Sequence, residues 1–320
     1  MAIILSDKLR KAYNLIIVLG PTASGKTRIA VKLAKDLGSE IISADSRQVY
    51  RGLDIGTGKD LHEYTIDEES IPCHLIDIVD PGIEFNVFEY QKRFFDVFEQ
   101  ISRKGVVPVM VGGTGLYIEA VVSNYQMVQV PENIELREEL MHETVDGLVN
   151  RLMEINPSVH NTTDLLDRKR LERAIEIAEF TKERKIGRVD QATTRPFIKP
   201  VLFGIHWRRE VLRRRITERL RKRLRQGMID EVKRLHDNGV SWDQFDFWGL
   251  EYRYISHYLQ GKMTYNNMFN VLNTKIHQFA KRQETWFRRM EKKGSIIHWI
   301  NGDDDESLQR TLFNIIDEIP

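Results

Sequence analysis

The chain has one cysteine, Cys73, in 320 residues, so an internal disulfide is excluded and no cysteine cluster exists to hold zinc. Its thiol is expected to be a small core group. The nine histidines are scattered, without an HxxxH pair, which removes the usual helical transition-metal motif. No apolar run approaches the roughly 20 residues that cross a bilayer. The run Leu15 to Leu19 follows a charged, mixed leader unlike a cleavable signal. These absences lead us to expect a cytoplasmic protein with no membrane partner, in which the sequon Asn161-Thr162-Thr163 carries no meaning. Net charge is nearly missing as well, at +1. That average hides segregation: basic residues crowd from Arg208 to Arg225 and from Lys281 to Lys293, and acids gather at Asp303-Asp304-Asp305-Glu306.

What is present is 41 % hydrophobic residues, enough for one substantial core and a smaller second one. Short β-branched runs alternate with helical patterns in the first third, the signature of a parallel sheet wrapped by helices. Strands are expected at Leu15 to Leu19, Glu40 to Ala44, Val106 to Val111 and Val201 to His206. Helices are expected at Arg28 to Leu37, stopped by Gly38, and at Asn86 to Lys104, stopped by Gly105. The fold class is α/β, a P-loop NTPase-like parallel sheet flanked by helices, with an inserted helical subdomain. The insertion is read as 131–195, with breaks at Asn156-Pro157 and Thr181 to Pro196, and the core as 1–130 with 196–320. After the return to the sheet, helices are expected at Arg208 to Gln226, Ile229 to His236, Leu250 to Gln260 and Tyr265 to Met290, then a strand around Ser295 to Ile300 and a terminal helix.

The strongest motif is Gly20-Pro21-Thr22-Ala23-Ser24-Gly25-Lys26-Thr27, a Walker-A loop placed after a strand and before a helix, as the motif requires. Glycines let backbone N–H groups wrap phosphate oxygens, the helix start favours negative charge, Lys26 supplies a cation and Thr27 can ligate Mg²⁺. Such a loop identifies a diphosphate and leaves the chemistry open, since kinases, ATP hydrolases and diphosphate-displacing transferases share it.

Asp45 follows the second strand, so it should emerge at the carboxyl edge of the sheet beside the phosphate loop. Asp45-Ser46-Arg47-Gln48-Val49-Tyr50 offers an acceptor, two kinds of donor and a ring, which suits reading a nucleobase better than gripping a phosphate. The plainer alternative makes Asp45 a helix N-cap and Tyr50 a packing residue. Gly112-Gly113-Thr114-Gly115 closes the third strand in the same way, although glycines there commonly make only a tight turn.

Taken together, GPTASGKT, ISADSRQVYRGLDIGTGK, HLIDIVDP, VGGTGLY, DRKRLERAIEI and AKRQETWFRR occur in order along Leu15 to Met290. In this the chain resembles the tRNA dimethylallyltransferases. The resemblance implies transfer of a dimethylallyl group from its diphosphate to the exocyclic amine of the adenosine 3′ of the anticodon. It also implies that Asp45 is the general base, that Thr114 contacts the adenine and that Arg219 reaches the diphosphate. Implied partners are a tRNA anticodon stem-loop and dimethylallyl diphosphate, with Mg²⁺ as cofactor; a monomer is expected. The sequence departs from the family pattern at Gly58, where alanine is usual, at Leu250-Glu251-Tyr252 and at Thr181-Lys182-Glu183-Arg184.

A base in an anticodon loop must leave its stack before it can be attacked, so the loop backbone needs a basic grip. Three segments suit: Arg168, Lys169, Arg170 and Leu171 after Asp167; the Arg208 to Arg225 helix; and Lys281, Arg282, Gln283 and Arg288. The resemblance assigns tRNA contact to the first and third. From Arg213 to Arg225 only Glu218 interrupts eight basic residues, too few acids for a solvated face of paired charges. Trp286 and Phe287 are expected in the core rather than stacked on bases. A kinase would have no use for these runs, a prenyltransferase of free adenine nucleotides would not need them, and a nucleotide-switched RNA binder would leave Asp45 and Thr114 idle.

Overall fold

The computed structural model describes residues 8–127, 129–156, 168–184, 195–304 and 307–317. The sequon at 161–163, Pro157, Asp167, the 185–194 part of the second break and Asp305-Glu306 lie outside them. The chain forms two compact units, Met1–Tyr125 with Pro196–Pro320, and Gln126–Arg195. The second begins at Gln126, earlier than the sequence reading placed it, and takes in Val130, whose carbonyl accepts a hydrogen bond from Arg173 Nη2 at 2.8 Å.

The first unit is built on a parallel sheet. Its strands are β1 (Leu15–Leu19), β2 (Ile41–Ala44), β5 (Cys73–His74), β6 (Val109–Gly112), β7 (Pro200–His206) and β8 (Ile297–Asn301), in the order β5-β2-β6-β1-β7-β8. A small antiparallel hairpin, β3 (Thr65–Ile66) with β4 (Glu69–Ser70), stands apart. β1 is apolar at every position because both of its faces are covered. Ile16 and Val18 join one core with Ile29 and Leu33 of helix α1 (Lys26–Asp36), whereas Leu15, Ile17 and Leu19 join another with Tyr90, Phe94 and Phe98 of α2 (Val87–Arg103). Full burial of each such side chain is worth roughly 1.5–3 kcal/mol, so the strand cannot exchange its faces for a polar one.

Expected and observed long elements agree closely in type and differ by a few residues at their ends: the first helix starts at Lys26 rather than Arg28. β6 begins at Val109 rather than Val106, after Pro108, which lacks an N–H for the ladder. Glu40 precedes β2 and pairs instead with His74 at 2.7 Å and Lys104 at 2.5 Å. α2 starts where expected because the Asn86 side chain accepts the Glu89 amide at 3.1 Å. α3 (Gly115–Val122) follows β6 directly. Cys73 packs against the first core, and burial pushes its thiol up to about 12.

In the second unit, α4 (Ile134–Met141), α5 (Val145–Ile155) and α6 (Arg168–Arg184) enclose Leu136, Leu140, Leu148, Leu152, Leu171 and Ile175. Arg151 there is held by three acids: it meets Glu139 at 2.7 Å, Glu143 at 2.9 Å and Glu179 at 2.7 Å.

Returning to the first unit, β7 leads to α7 (Arg209–Arg225), α8 (Met228–Asp237), the single turn α9 (Trp242–Phe245), α10 (Leu250–Leu259), α11 (Tyr265–Lys292), β8 and α12 (Ser307–Asp317). A third core joins these helices to Val49, Tyr50 and Leu53. No helix among the described residues is long and apolar enough to cross a membrane.

Candidate active site

The register of the sheet levels three strand ends. Gly112 pairs with Leu19 on one side and with Ala44 on the other, so Gly20, Asp45 and Gly113 leave the carboxyl edge side by side. β6 lies between β1 and β2, so the chain crosses over a strand in going from one to the other. Crevices at such crossings are where open α/β sheets bind ligands.

After β1 the chain turns through Ala23 (φ 62°) and Gly25 (φ 84°), and α1 begins at Lys26 with no side-chain cap. Its first amides are therefore left as donors at the positive end of the helix. Ser24 Oγ is buried and has no hydrogen-bond partner among the described residues. Lys26 Nζ reaches the Pro21 carbonyl at 3.3 Å. Burial, then the neighbouring Arg219, push its ammonium down to about 8.

α7 supplies the other cations at i, i+4 spacing on one face. Arg215 donates to the Ala23 carbonyl at 2.9 Å and lies 4.2 Å from the Trp207 ring. Arg219 spans Thr22 Oγ1 at 3.2 Å and Asp60 at 3.1 Å. Arg223 meets the same Asp60 oxygen at 3.0 Å. Burial, with Arg223 beside it, lowers Arg219 to about 10.

Asp45 takes the capping role its sequence position allowed and keeps one oxygen unengaged. Its Oδ1 accepts the amides of Arg47 at 2.9 Å and Gln48 at 3.3 Å, a turn cap, while Oδ2 has no partner among the described residues. Thr114 is brought to it through Ser46: the Ser46 amide donates to Thr114 Oγ1 at 3.0 Å, and the Thr114 amide donates to the Ala44 carbonyl at 3.1 Å. Gly113 leaves room for Gln283, since a Cβ there would run into its amide. Gln283 accepts from the Thr22 amide at 2.8 Å and donates to the Gly113 carbonyl at 2.8 Å, so it braces the phosphate loop against the glycine turn.

Residues 48–290 match the family described as IPP transferase. The chain belongs to that family. The match starts downstream of the phosphate loop, so the loop is an independent observation. A tRNA dimethylallyltransferase 1 of Syntrophus aciditrophicus is 60 % identical over 93 % of this chain and 97 % of its own. One of Geotalea uraniireducens is 56 % identical over 91 % and 94 %. The crystal structure of a full-length tRNA isopentenylpyrophosphate transferase from Bacillus halodurans aligns with a TM-score of 0.67 and 33 % identity, covering 96 % of this chain and 95 % of that one. These agree with a prenyltransferase built on the P-loop-like α/β sheet.

Within this IPP transferase, sequence reasoning missed the brace behind the site. Glu231 accepts the amides of Asp54, Ile55 and Gly56 at 3.1, 2.7 and 3.0 Å and the Tyr252 hydroxyl at 2.7 Å. Lys59, fully buried, donates to the Tyr50 carbonyl at 2.8 Å, to Asp54 at 2.6 Å and to Asp77. All three ammonium protons are thus satisfied. No local pattern in the sequence marks this brace.

Two residues expected to touch tRNA face inward instead. Leu171 is fully buried in the core of the second unit, and the Gln283 side chain is spent on its two loops. Arg168 is also engaged, donating to Glu172 at 2.8 Å and to the carbonyls of Glu143 and Leu140. Lys169, Arg170, Lys281, Arg282 and Arg288 are exposed. On α7, Arg213, Arg214 and Arg221 face away from the phosphate loop and, with Asn273 and His277 of α11, line a depression of about 340 Å³. Phe287 is a core residue and Trp286 packs beside it.

The lowered Lys26 gives a pH signature. A diphosphate favours the charged lysine, so binding raises its pKa and takes up protons above pH 8. The ratio of parent to Lys26→Gln affinity for inorganic diphosphate, in which the probe's own ionisation cancels, should be flat below pH 8 and fall about tenfold per unit above it. Titration of both proteins from pH 7 to 9.5 checks this.

Proposed function

We propose that the protein transfers the dimethylallyl group of dimethylallyl diphosphate to the exocyclic amine of the adenosine 3′ of the anticodon in tRNA. The observation that carries the reading is the level exit of Gly20, Asp45 and Gly113 from three adjacent strands. It puts a carboxylate oxygen and an anion cradle on one edge. The amine nitrogen attacks the allylic carbon, the carbon–oxygen bond to diphosphate breaks, and the amine proton passes to Asp45 Oδ2. Charge that builds on the leaving diphosphate meets Lys26, the first amides of α1 and Arg219. Thr114 Oγ1, fixed by the Ser46 amide, is the hydroxyl beside the base.

Among the described residues no cluster of three or more His, Cys, Asp or Glu could hold a metal ion. That fits an ion bound through substrate phosphates and one hydroxyl rather than by a protein cage, which is how Mg²⁺ commonly binds. Thr27 would hold it, and it would supply charge neutralisation on the diphosphate. The protein acts in the cytoplasm as a monomer, on the anticodon stem-loop.

Mass analysis of nucleosides from unmodified tRNA, incubated with protein and dimethylallyl diphosphate, tests the reaction. A prenylated adenosine is expected; phosphoryl transfer from ATP without prenylation would overturn it. The exposed cations give a second test. Lys281→Ala with Arg282→Ala should weaken tRNA binding and reduce the slope of log affinity against log salt by about one unit per lost phosphate contact. An unchanged slope removes these two residues from the RNA grip.

A further inference from the structure

Arg223 is an arginine without a task in the reaction as described. It is buried, at 7 % exposure, and its guanidinium carries five N–H donors. Among the described residues its one hydrogen-bond acceptor is Asp60 Oδ2 at 3.0 Å, an oxygen it shares with Arg219 Nη2 at 3.1 Å. Two guanidiniums thus converge on a single oxyanion, one of them also tied to Thr22 in the phosphate loop at 3.2 Å. Lys26 feels both as repulsive neighbours.

Burial pushes Glu63 and Glu251 up from their ordinary carboxylate range. Asp60 resists its own burial because Arg223 and Arg219 hold its carboxyl below the usual range. Lys26, Arg219 and Arg223 thus gather around the Asp60 carboxylate, with Asp45 acting on Lys26 from the neighbouring strand end. A guanidinium buried with one acceptor for its five donors is costly unless an anion completes it.

Gly58 makes the arrangement possible. It sits at φ 68°, and a Cβ built there would overlap the Arg223 guanidinium outright and crowd Arg219. The residue cannot move aside. Its amide donates to Asp54 O at 2.9 Å, its carbonyl accepts from Gln48 Nε2 at 3.0 Å, and the loop is pinned by Glu231 and Lys59. Alanine at this position would displace Arg223.

We propose that Arg223 is a second guanidinium for the donor diphosphate, admitted to the site by Gly58, with Asp60 holding the arginine pair in register. This rests on the reading that the phosphate loop binds a prenyl diphosphate. The chemistry recognised is a dianionic diphosphate oxygen cluster, which two forked cations grip more tightly than one.

The test uses the full chain and inorganic diphosphate as probe, followed by kinetics with dimethylallyl diphosphate and tRNA. Arg223→Met should weaken diphosphate binding about tenfold or more and raise the donor KM similarly, with tRNA affinity within about twofold of the parent. Gly58→Ala should produce the same loss, and the double variant no further loss, because both changes remove one interaction. If Arg223→Met does not fold, Arg223→Lys, which keeps the charge and loses the fork, should still weaken diphosphate about threefold or more. Parent-like diphosphate affinity in these variants overturns the proposal. So do losses that multiply in the double variant, or a tRNA affinity that falls in parallel. If Arg223→Met weakens diphosphate while the parent prenylates no tRNA, the second guanidinium stands and the proposed reaction falls.

Discussion

Asp45→Asn lowers turnover by about a hundredfold to ten-thousandfold, with tRNA affinity and folding close to the parent. Asparagine keeps an acceptor oxygen for the Arg47 and Gln48 amides that Asp45 Oδ1 caps. It cannot take a proton from the attacking amine. Asp45→Ala loses the base and the cap together, so it should show the same fall in turnover and about 0.5–2 kcal/mol lower stability. The pair separates chemistry from architecture. Single-turnover rates at saturating tRNA and donor, alongside urea unfolding, provide the measurement. Parent-like turnover in the asparagine variant removes Asp45 as the base.

Glu231→Ala should cost about 3–5 kcal/mol of stability, the range for breaking a buried charged network from one side. One carboxylate satisfies three consecutive amides and a buried tyrosine hydroxyl, and alanine strands all four donors. Tyr252→Phe removes a single donor and should cost about 0.5–1.5 kcal/mol. The urea midpoint should fall with little change in slope. Because the pinned loop carries Gly58 and Asp60, donor KM should rise in Glu231→Ala as well. A loss under about 1 kcal/mol would show that water or a shifted loop replaces the carboxylate.

The sheet was legible because its strands are unbroken apolar runs that end in glycine or a polar residue, and the phosphate loop is a local motif in its proper place. β5 was not: two residues, Cys73 and His74, carry no pattern, and only pairing to Ile41 and Ile42 makes them a strand. The brace was invisible for a different reason. Glu231 and Gly56 lie 175 positions apart, and nothing local marks a glutamate as an acceptor for backbone amides. Leu171 could have been placed correctly, since Leu171 and Ile175 are spaced i, i+4 and both are buried in one core; the cations around it drew attention away from that period. Asp45 was ambiguous between cap and base; Oδ1 is spent on the cap, and Oδ2 is without a partner among the described residues.

Gln283 has to accept from an amide and donate to a carbonyl with one planar group. Glutamate has the same outline, yet it would set a negative oxygen against the Gly113 carbonyl; lysine would offer the Thr22 amide nothing. Asparagine falls one methylene short. Glutamate, lysine and asparagine are therefore each excluded at this position on α11, while the solvent-facing Lys281 and Arg282 beside it are under no such restriction from the fold.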